Sequence, residues 1–302
     1  MIKYALYVKN LNKSYGKIKA VEGANFYIPM GKVAGLVGPN GAGKSTIIKC
    51  ITGFLNYSGL IKVLGSPQEN LNKINIGYLA EKTGYQGNLT GEEYLKFYCN
   101  LYNVETPKVV INNKLKLVGL YDRRLDLIKT YSNGMKQRLG IARTLINDPK
   151  MLIYDEPMSG LDPSIKGKIL DIISDISSDG KTILISSHQL KDIEDVCDWI
   201  ILIKEGMIIH QGSIESVFNK IKMVKRLSIL INNNQKERLR EIKQDIEGVK
   251  HIKIKGKTVI IEYDISKVRD EEILGYLFKN KINFTLKQGT LDSMYRSVFD
   301  EQ

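Results

Sequence analysis

Residues 38–46 read Gly38-Pro39-Asn40-Gly41-Ala42-Gly43-Lys44-Ser45-Thr46, which satisfies the pattern G-x-x-x-x-G-K-[ST]. The run follows an apolar, strand-like segment, Lys32–Val37, and opens a helical stretch, Lys44–Thr52. Very few folds accept a strand, a glycine loop and a helix in that order with a lysine and two hydroxyls at the helix start. The glycines let successive backbone N–H groups turn inward as an anion nest, and the helix start adds its positive end. In such a loop Lys44 reaches the β- and γ-phosphates of a nucleotide, and the Ser45 hydroxyl ligates Mg²⁺. A bare glycine turn before an ordinary helix has no use for those three side chains together.

The surrounding pattern agrees with a phosphate loop. Strand-like segments at Tyr4–Lys9, Val21–Ile28, Met151–Tyr154, Thr182–Ser186 and Trp199–Ile203 alternate with helix-length pieces. That alternation predicts an α/β fold with a mainly parallel sheet covered on both faces. The strand Met151–Tyr154 ends in Asp155-Glu156. Alone, two acids after a strand are ordinarily a turn or a helix cap. Downstream of a phosphate loop they read as the Mg²⁺-shell carboxylate, Asp155, and the group that polarises the attacking water, Glu156.

Composition bounds the rest. A chain of 302 residues predicts roughly two domains, and 43% hydrophobic with 26% charged residues is an ordinary globular balance. Cys50, Cys99 and Cys197 are odd in number and scattered, so they read as reduced thiols. The longest uncharged stretch, Cys50 to Ile61, is twelve residues, too short for a spanning helix. The N-terminus carries Lys3 and Lys9 without an apolar run between them, which argues against a secretory signal. A net charge of +12 points towards nucleic acid, nucleotide or an anionic membrane face. The last 83 residues hold 18 basic and 12 acidic side chains, the higher charge density, and are expected to form a separate domain. A basic stretch, Ser216–Lys225, reads as the linker, giving domains 1–220 and 226–302. Beyond it, strand Leu227–Ile231, helix Gln235–Ile246, strands Lys250–Lys255 and Thr258–Tyr263 around a Gly256-Lys257 turn, a helix with Ile273, Leu274, Leu277 and Phe278, and strand Ile282–Lys287 follow the β-α-β-β-α-β order of a small ferredoxin-like α+β domain.

Between the phosphate loop and Asp155 lies Thr130-Tyr131-Ser132-Asn133-Gly134-Met135-Lys136-Gln137-Arg138-Leu139, then a helix with Leu139, Ala142, Leu145 and Ile146 on one face. Here the chain resembles the ATP-binding subunits of ABC transporters, over about residues 1–220. The stretch looks like their signature, usually Leu-Ser-Gly-Gly-Gln, with Ser132 and Gly134 retained and Tyr131, Asn133 and Met135 different. Asn133 replaces a glycine whose backbone approaches the γ-phosphate in the family. Physically, Ser132 and the N–H groups of a helix start form a second phosphate site. The resemblance implies that this site completes the ATP pocket of an opposite subunit, in a head-to-tail dimer with two ATP molecules. It also implies roles in family order. Ser159-Gly160-Leu161-Asp162 looks like the D-loop across the dimer seam, and His188 like the switch histidine on the γ-phosphate. Tyr15 resembles the aromatic residue that stacks on adenine, against the plainer reading of a tyrosine packing in a hairpin. Glu81 sits where most members carry the Q-loop glutamine, a place from which a carboxylate orients water or Mg²⁺.

The resemblance implies an ATPase using ATP and Mg²⁺, at the cytoplasmic face of a membrane, partnered by separately encoded transmembrane permease subunits and by a second copy or a similar ATPase subunit, with no specific nucleic acid. Two other classes compete. Soluble ABC ATPases of DNA repair or translation suit the positive charge, but Ser132 lies only 88 residues after Lys44, with no room for a long coiled coil, and one phosphate loop is present rather than two. A GTPase needs Asn-Lys-x-Asp, and Asn72-Lys73-Ile74-Asn75 lacks the aspartate. Within exporters, Glu81, the Tyr-Ser-x-Gly-Met signature and a terminal helix at Leu291–Phe299 resemble the subfamily that expels peptide antibiotics, hydrophobic drugs or sodium.

Overall fold

The structure, a computed structural model, describes residues 3–70, 75–221, 225–230, 242, 245–255, 258–263, 267–280, 282 and 285–287. Two compact units result, Met1–Ile214 and Glu215–Gln302. Among the described residues no helix is long and apolar enough to cross a membrane.

The first unit opens with two long strands, β1 (Tyr4–Tyr15) and β2 (Ile18–Pro29), paired antiparallel through a hairpin at Gly16. They are longer than their sequence signal because register shifts near Val8–Lys13 interrupt the two-residue period on which that signal rests. Strand β3 (Val33–Val37) leads into α1 (Lys44–Ile51), and β4 (Ser58–Val63) and β5 (Ser66–Pro67) complete an antiparallel sheet of order β2-β1-β4-β5. This antiparallel sheet is additional to the mainly parallel one that the alternation predicts. Then come β6 (Ile76–Leu79), α2 (Gly91–Leu101), α3 (Pro107–Leu117), α4 (Asn133–Thr144), β7 (Met151–Tyr154), α5 (Pro163–Ser178), β8 (Thr182–Ser187), β9 (Trp199–Lys204) and β10 (Met207–Ser213).

The second sheet has order β10-β9-β3-β8-β7-β6, with the five strands from β9 to β6 parallel and β10 antiparallel at the edge. Strands β3, β7 and β8 are buried along their whole length, as central parallel strands covered on both faces must be. Helix α1 lies in one apolar cluster with both sheets: Ile47, Ile48 and Ile51 share it with Leu6, Phe26 and Ile61 from the antiparallel sheet and Leu36, Ile153 and Leu184 from the parallel one. Each such side chain contributes about 1.5–3 kcal/mol by leaving water. The phosphate-loop helix is therefore held from two sides. Cys50, Cys99 and Cys197 are all buried and unpaired, and burial pushes the Cys50 thiol up to about 11.

The second unit takes up most of α6 (Ile214–Ile221), so the stretch read as a linker is largely helical. Strands β11 (Lys225–Leu230), β12 (Val249–Lys255), β13 (Thr258–Tyr263) and β14 (Thr285–Lys287) form an antiparallel sheet of order β12-β13-β11-β14, with α7 (Asp270–Lys279) between β13 and β14. Ile229, Val259, Ile261, Ile273 and Leu277 build its core. Of the apolar residues read on this helix, Ile273 and Leu277 are buried, whereas Phe278 is 72% exposed. Most of the expected helix Gln235–Ile246, the turn Gly256-Lys257, part of Ile282–Lys287, Asn72-Lys73-Ile74 and the terminal helix Leu291–Phe299 lie outside the described residues.

Candidate functional site

Neighbouring parallel strands all end at the same side of a sheet, and this gathers residues far apart in sequence. Val37 pairs with Ser187, Tyr154 with Ile185 and Leu79 with Tyr154. The segments that follow β3, β8, β7 and β6 are thus side by side: the glycine loop, His188, Asp155-Glu156 and Glu81. All but Asp155 line one cavity of about 350 Å³, with Asn40, Gly41, Gly43, Lys44, Ser45, Thr46, Glu81, Glu156, Ser159 and His188 in its wall.

Two glycines are required by space. A Cβ on Gly38 would stand 2.2 Å from the Ile203 carbonyl oxygen, and one on Gly43, at φ 105°, 2.6 Å from that of Ala20. Gly43 caps α1 without any side-chain hydrogen bond, which leaves the first N–H groups of that helix for an anion. Pro39 and Ala42 complete the loop, with the Ala42 N–H donating to the Pro39 carbonyl at 3.2 Å.

Lys44 is 5% exposed. Its Nζ donates to the Gly38 carbonyl at 2.8 Å and the Pro39 carbonyl at 3.1 Å, and lies 3.2 Å from Glu156 Oε1. Glu156 Oε2 in turn is 2.9 Å from His188 Nδ1. Glu156 adopts φ 49°, the left-handed region that an L side chain rarely occupies, and its N–H donates to Ser186 Oγ at 2.8 Å. The backbone at the acid pair is strained and pinned, a pattern characteristic of functional positions.

Asp155 is 2% exposed and accepts at Oδ1 from Ser186 Oγ at 2.7 Å and Ser45 Oγ at 3.2 Å. Burial raises its pKa; the two hydroxyls oppose that, and the nearby Glu81 and Glu156 charges add to it. Among the described residues no cation pairs with this carboxylate, and a buried carboxylate held by hydroxyls alone is costly. Nor, among them, does any group of three or more His, Cys, Asp or Glu stand ready to hold a metal unaided. That donor set fits Mg²⁺, which takes one or two protein oxygens and fills its shell with water and substrate phosphate.

The remaining sequence candidates lie elsewhere. Ser132 caps α4, its Oγ accepting from the Met135 N–H at 3.3 Å, and both Ser132 and Asn133 are exposed. Gly134 is buried against Ile165, whose Cγ2 would be 2.5 Å from a Cβ there. Tyr131 is structural: its ring is buried beneath Gly91 and its OH donates to the Arg123 carbonyl at 2.7 Å. Asp162 precedes α5 and is exposed, making no capping bond. Tyr15 sits beside the hairpin tip, 47% exposed, with Lys13 Nζ 5.4 Å from its ring centroid. Ser132, Gly134, Asp162 and Tyr15 are not in the wall of the phosphate-loop cavity.

Sequence reasoning passed over Ser186, whose hydroxyl joins Asp155 to Glu156. The available signal was two polar residues, Ser186-Ser187, closing an otherwise apolar strand. It also passed over Arg143 on α4, whose Nη2 donates to the Tyr78 carbonyl at 2.6 Å, three residues before Glu81.

The ABC transporter family profile matches residues 21–159. A lantibiotic transport ATP-binding protein of Streptococcus pyogenes is 42% identical over 222 residues, which is 71% of this chain and 96% of that protein. The chain belongs to the ATP-binding subunits of ABC transporters. This ABC subunit is also similar, at 35% identity over 225 residues covering 73% of each chain, to a bacitracin transport ATP-binding protein of Enterococcus faecalis. Among solved structures, the cbiO1 component of an ABC transporter complex from Clostridium perfringens aligns with TM-score 0.65 and 28% identity over 80% of this chain and 95% of its own. The ABC subunit is an ATPase.

Proposed function

We propose that this ABC subunit hydrolyses ATP at a head-to-tail dimer interface to power a separately encoded membrane permease that expels an antibiotic peptide or a hydrophobic drug. The carrying observation is a phosphate site in two halves: the glycine loop, Lys44, Glu156 and His188 share a cavity, while Ser132 and Gly134 at the start of α4 are not in its wall. A second copy, or a similar subunit, supplies the missing half to each cavity. Glu156 takes the proton of the attacking water, Lys44 and His188 meet the developing charge on the γ-phosphate, and Tyr15 offers its exposed ring to adenine. Ser45, Asp155 and Glu81 would hold Mg²⁺, which supplies charge neutralisation between the phosphates. The names of the lantibiotic and bacitracin relatives support the cargo class.

The permease contact is read from α2. Phe97 and Leu101 on α2 are 57% and 61% exposed, and Phe54, 68% exposed, lines a groove of about 230 Å³ with Tyr78, Arg143 and the α2 residue Tyr98. An apolar, aromatic-rimmed surface of this kind suits a protein partner, and in an ABC subunit that partner is the permease, which sets this chain at the cytoplasmic membrane face. We take residues 1–220 as the ATPase domain and 226–302 as an accessory ferredoxin-like domain. The order β12-β13-β11-β14, all antiparallel, supports the latter, since β13 separates β11 from β12 as in a split β-α-β unit.

The test is ATP binding and hydrolysis by the full-length chain and its Lys44→Ala variant, alongside duplex DNA. Losing a charge-assisted hydrogen bond costs about 1.5–3 kcal/mol, so nucleotide binding should weaken roughly 10- to 150-fold. Tight duplex binding at physiological salt, falling steeply as salt rises, would instead favour a nucleic-acid ATPase.

A further inference from the structure

Two consecutive residues in the first turn of α5 touch two different segments: the start of α4 and the stretch that follows His188. Ile165 meets the signature helix: with 2.5 Å between its Cγ2 and a Cβ built on Gly134, the start of α4 sits directly on that side chain. Lys166, the next residue, donates from Nζ to Asp192 Oδ2 at 2.6 Å. Both side chains are largely shielded, at 24% and 15% exposure, so this pair is poorly screened compared with a surface ion pair.

Asp192 lies four residues beyond His188, on the segment that leaves β8. That segment is anchored in short steps. Ser187 Oγ donates to the Gln189 carbonyl at 2.8 Å and accepts from the Gln189 N–H at 3.0 Å, and Leu190 and Ile193 are buried. Helix α5 does not need Lys166 for its own seat, because Ile169, Ile172, Ile173 and Ile176 bury its inner face. What the ion pair adds is a tie between that fixed helix and the backbone carrying His188.

We propose that Lys166 is a positioning residue for hydrolysis: through Asp192 it sets His188 against Glu156, and through the adjacent Ile165 it links that placement to the seat of Ser132-Asn133-Gly134. A displacement of the signature helix on α5 is then felt at His188 in the same subunit. This rests on Glu156 and His188 acting in hydrolysis, as read above.

A double-mutant cycle on the full-length chain tests it. Lys166→Met keeps the aliphatic stem, Asp192→Asn keeps the shape, and Lys166→Arg keeps the charge. A small misplacement of a reacting group costs up to about a hundredfold in rate, so Lys166→Met and Asp192→Asn should lower kcat roughly ten- to a hundredfold. KM for ATP should stay within about twofold, and Lys166→Arg should retain most of the rate. In a His188→Ala background, Lys166→Met should cost less than about twofold more, because the residue acts through the histidine. Full additivity of the two losses, or an unchanged kcat for Lys166→Met, overturns the proposal. A different result, near-normal hydrolysis by His188→Ala and Glu156→Gln themselves, overturns the reading of the site on which it stands.

Discussion

Glu156 divides its carboxylate between a cation and an imidazole: Oε1 lies 3.2 Å from Lys44 Nζ and Oε2 2.9 Å from His188 Nδ1. The proposed base and the two groups proposed to meet the γ-phosphate are thus one connected unit. On the proposed reading, a phosphate arriving at Lys44 would compete with Glu156 for the ammonium and so free the carboxylate as the substrate enters.

Replacing Glu156 by Gln keeps the shape and removes the base. ATP should still bind while turnover falls about 10²–10⁴-fold, the usual worth of general-base catalysis. With hydrolysis blocked, gel filtration should show an ATP-dependent shift to twice the mass. Wild-type turnover in this variant would remove Glu156 from the catalytic role.

Ser186 joins both acids, so Ser186→Ala should disturb folding and chemistry together. It leaves the Glu156 N–H and one bond of buried Asp155 unmet. An unsatisfied buried group costs about 1–3 kcal/mol, which in a unit of this size lowers Tm by roughly 2–12 °C. Thermal unfolding measures it, and an unchanged Tm refutes the bridging role.

Alkaline pH should destabilise the ATPase unit through its tyrosines. Burial pushes the Tyr78 and Tyr85 hydroxyls up to about 12, and those of Tyr94 and Tyr154 upward as well. Unfolded tyrosine titrates near 10. From pH 10 to about 12 the unfolded chain therefore binds fewer protons than the folded one, and stability falls as pH rises. Below pH 10 this contribution is fully present. Melting curves should show a Tm that declines across that window and declines less in Tyr78→Phe; equal slopes in the two proteins would contradict the assignment.

The exposed apolar surface offers a separable test. Phe54→Ser with Leu101→Ser should leave ATP binding intact and abolish co-purification with the membrane partner. Retained co-purification would place the permease contact on another face.

A chain ending at Lys225 tests the second unit, which is proposed to hold two subunits near each other or to meet anionic lipid. It should bind ATP as the full chain does. On the tether reading, its ATP-dependent dimer requires higher protein concentration, because effective concentration is lost. If dimerisation, permease binding and transport are all unchanged, the unit is a passive appendage.

Legibility differed by the range of the interaction that signals each part. Strands β7 and β13 and the glycine loop were readable to the residue, because apolar runs and backbone-enforced glycines are local properties. The long hairpin of β1 and β2 was read short, since its register shifts break the period. Tyr131 looked like a signature variant, yet its buried ring and its bond to Arg123 are tertiary facts that no spacing encodes. Arg143 gave no signal because a helix arginine is ordinarily solvated, whereas this one reaches the Tyr78 carbonyl across the fold.

The chemistry of this protein was determined by residue order alone: a loop that only Gly38 and Gly43 can close, a lysine and a serine at a helix start, and two acids after an apolar strand. Those demands are local, so local order carries them. Tertiary structure decided which of those groups meet. The neighbourhood of β3, β8, β7 and β6 sets Lys44 beside Glu156 and Glu156 beside His188, and it leaves Ser132 outside that cavity. Strand order depends on which apolar faces bury one another most completely across the whole chain, a competition between distant segments that no short stretch of sequence contains.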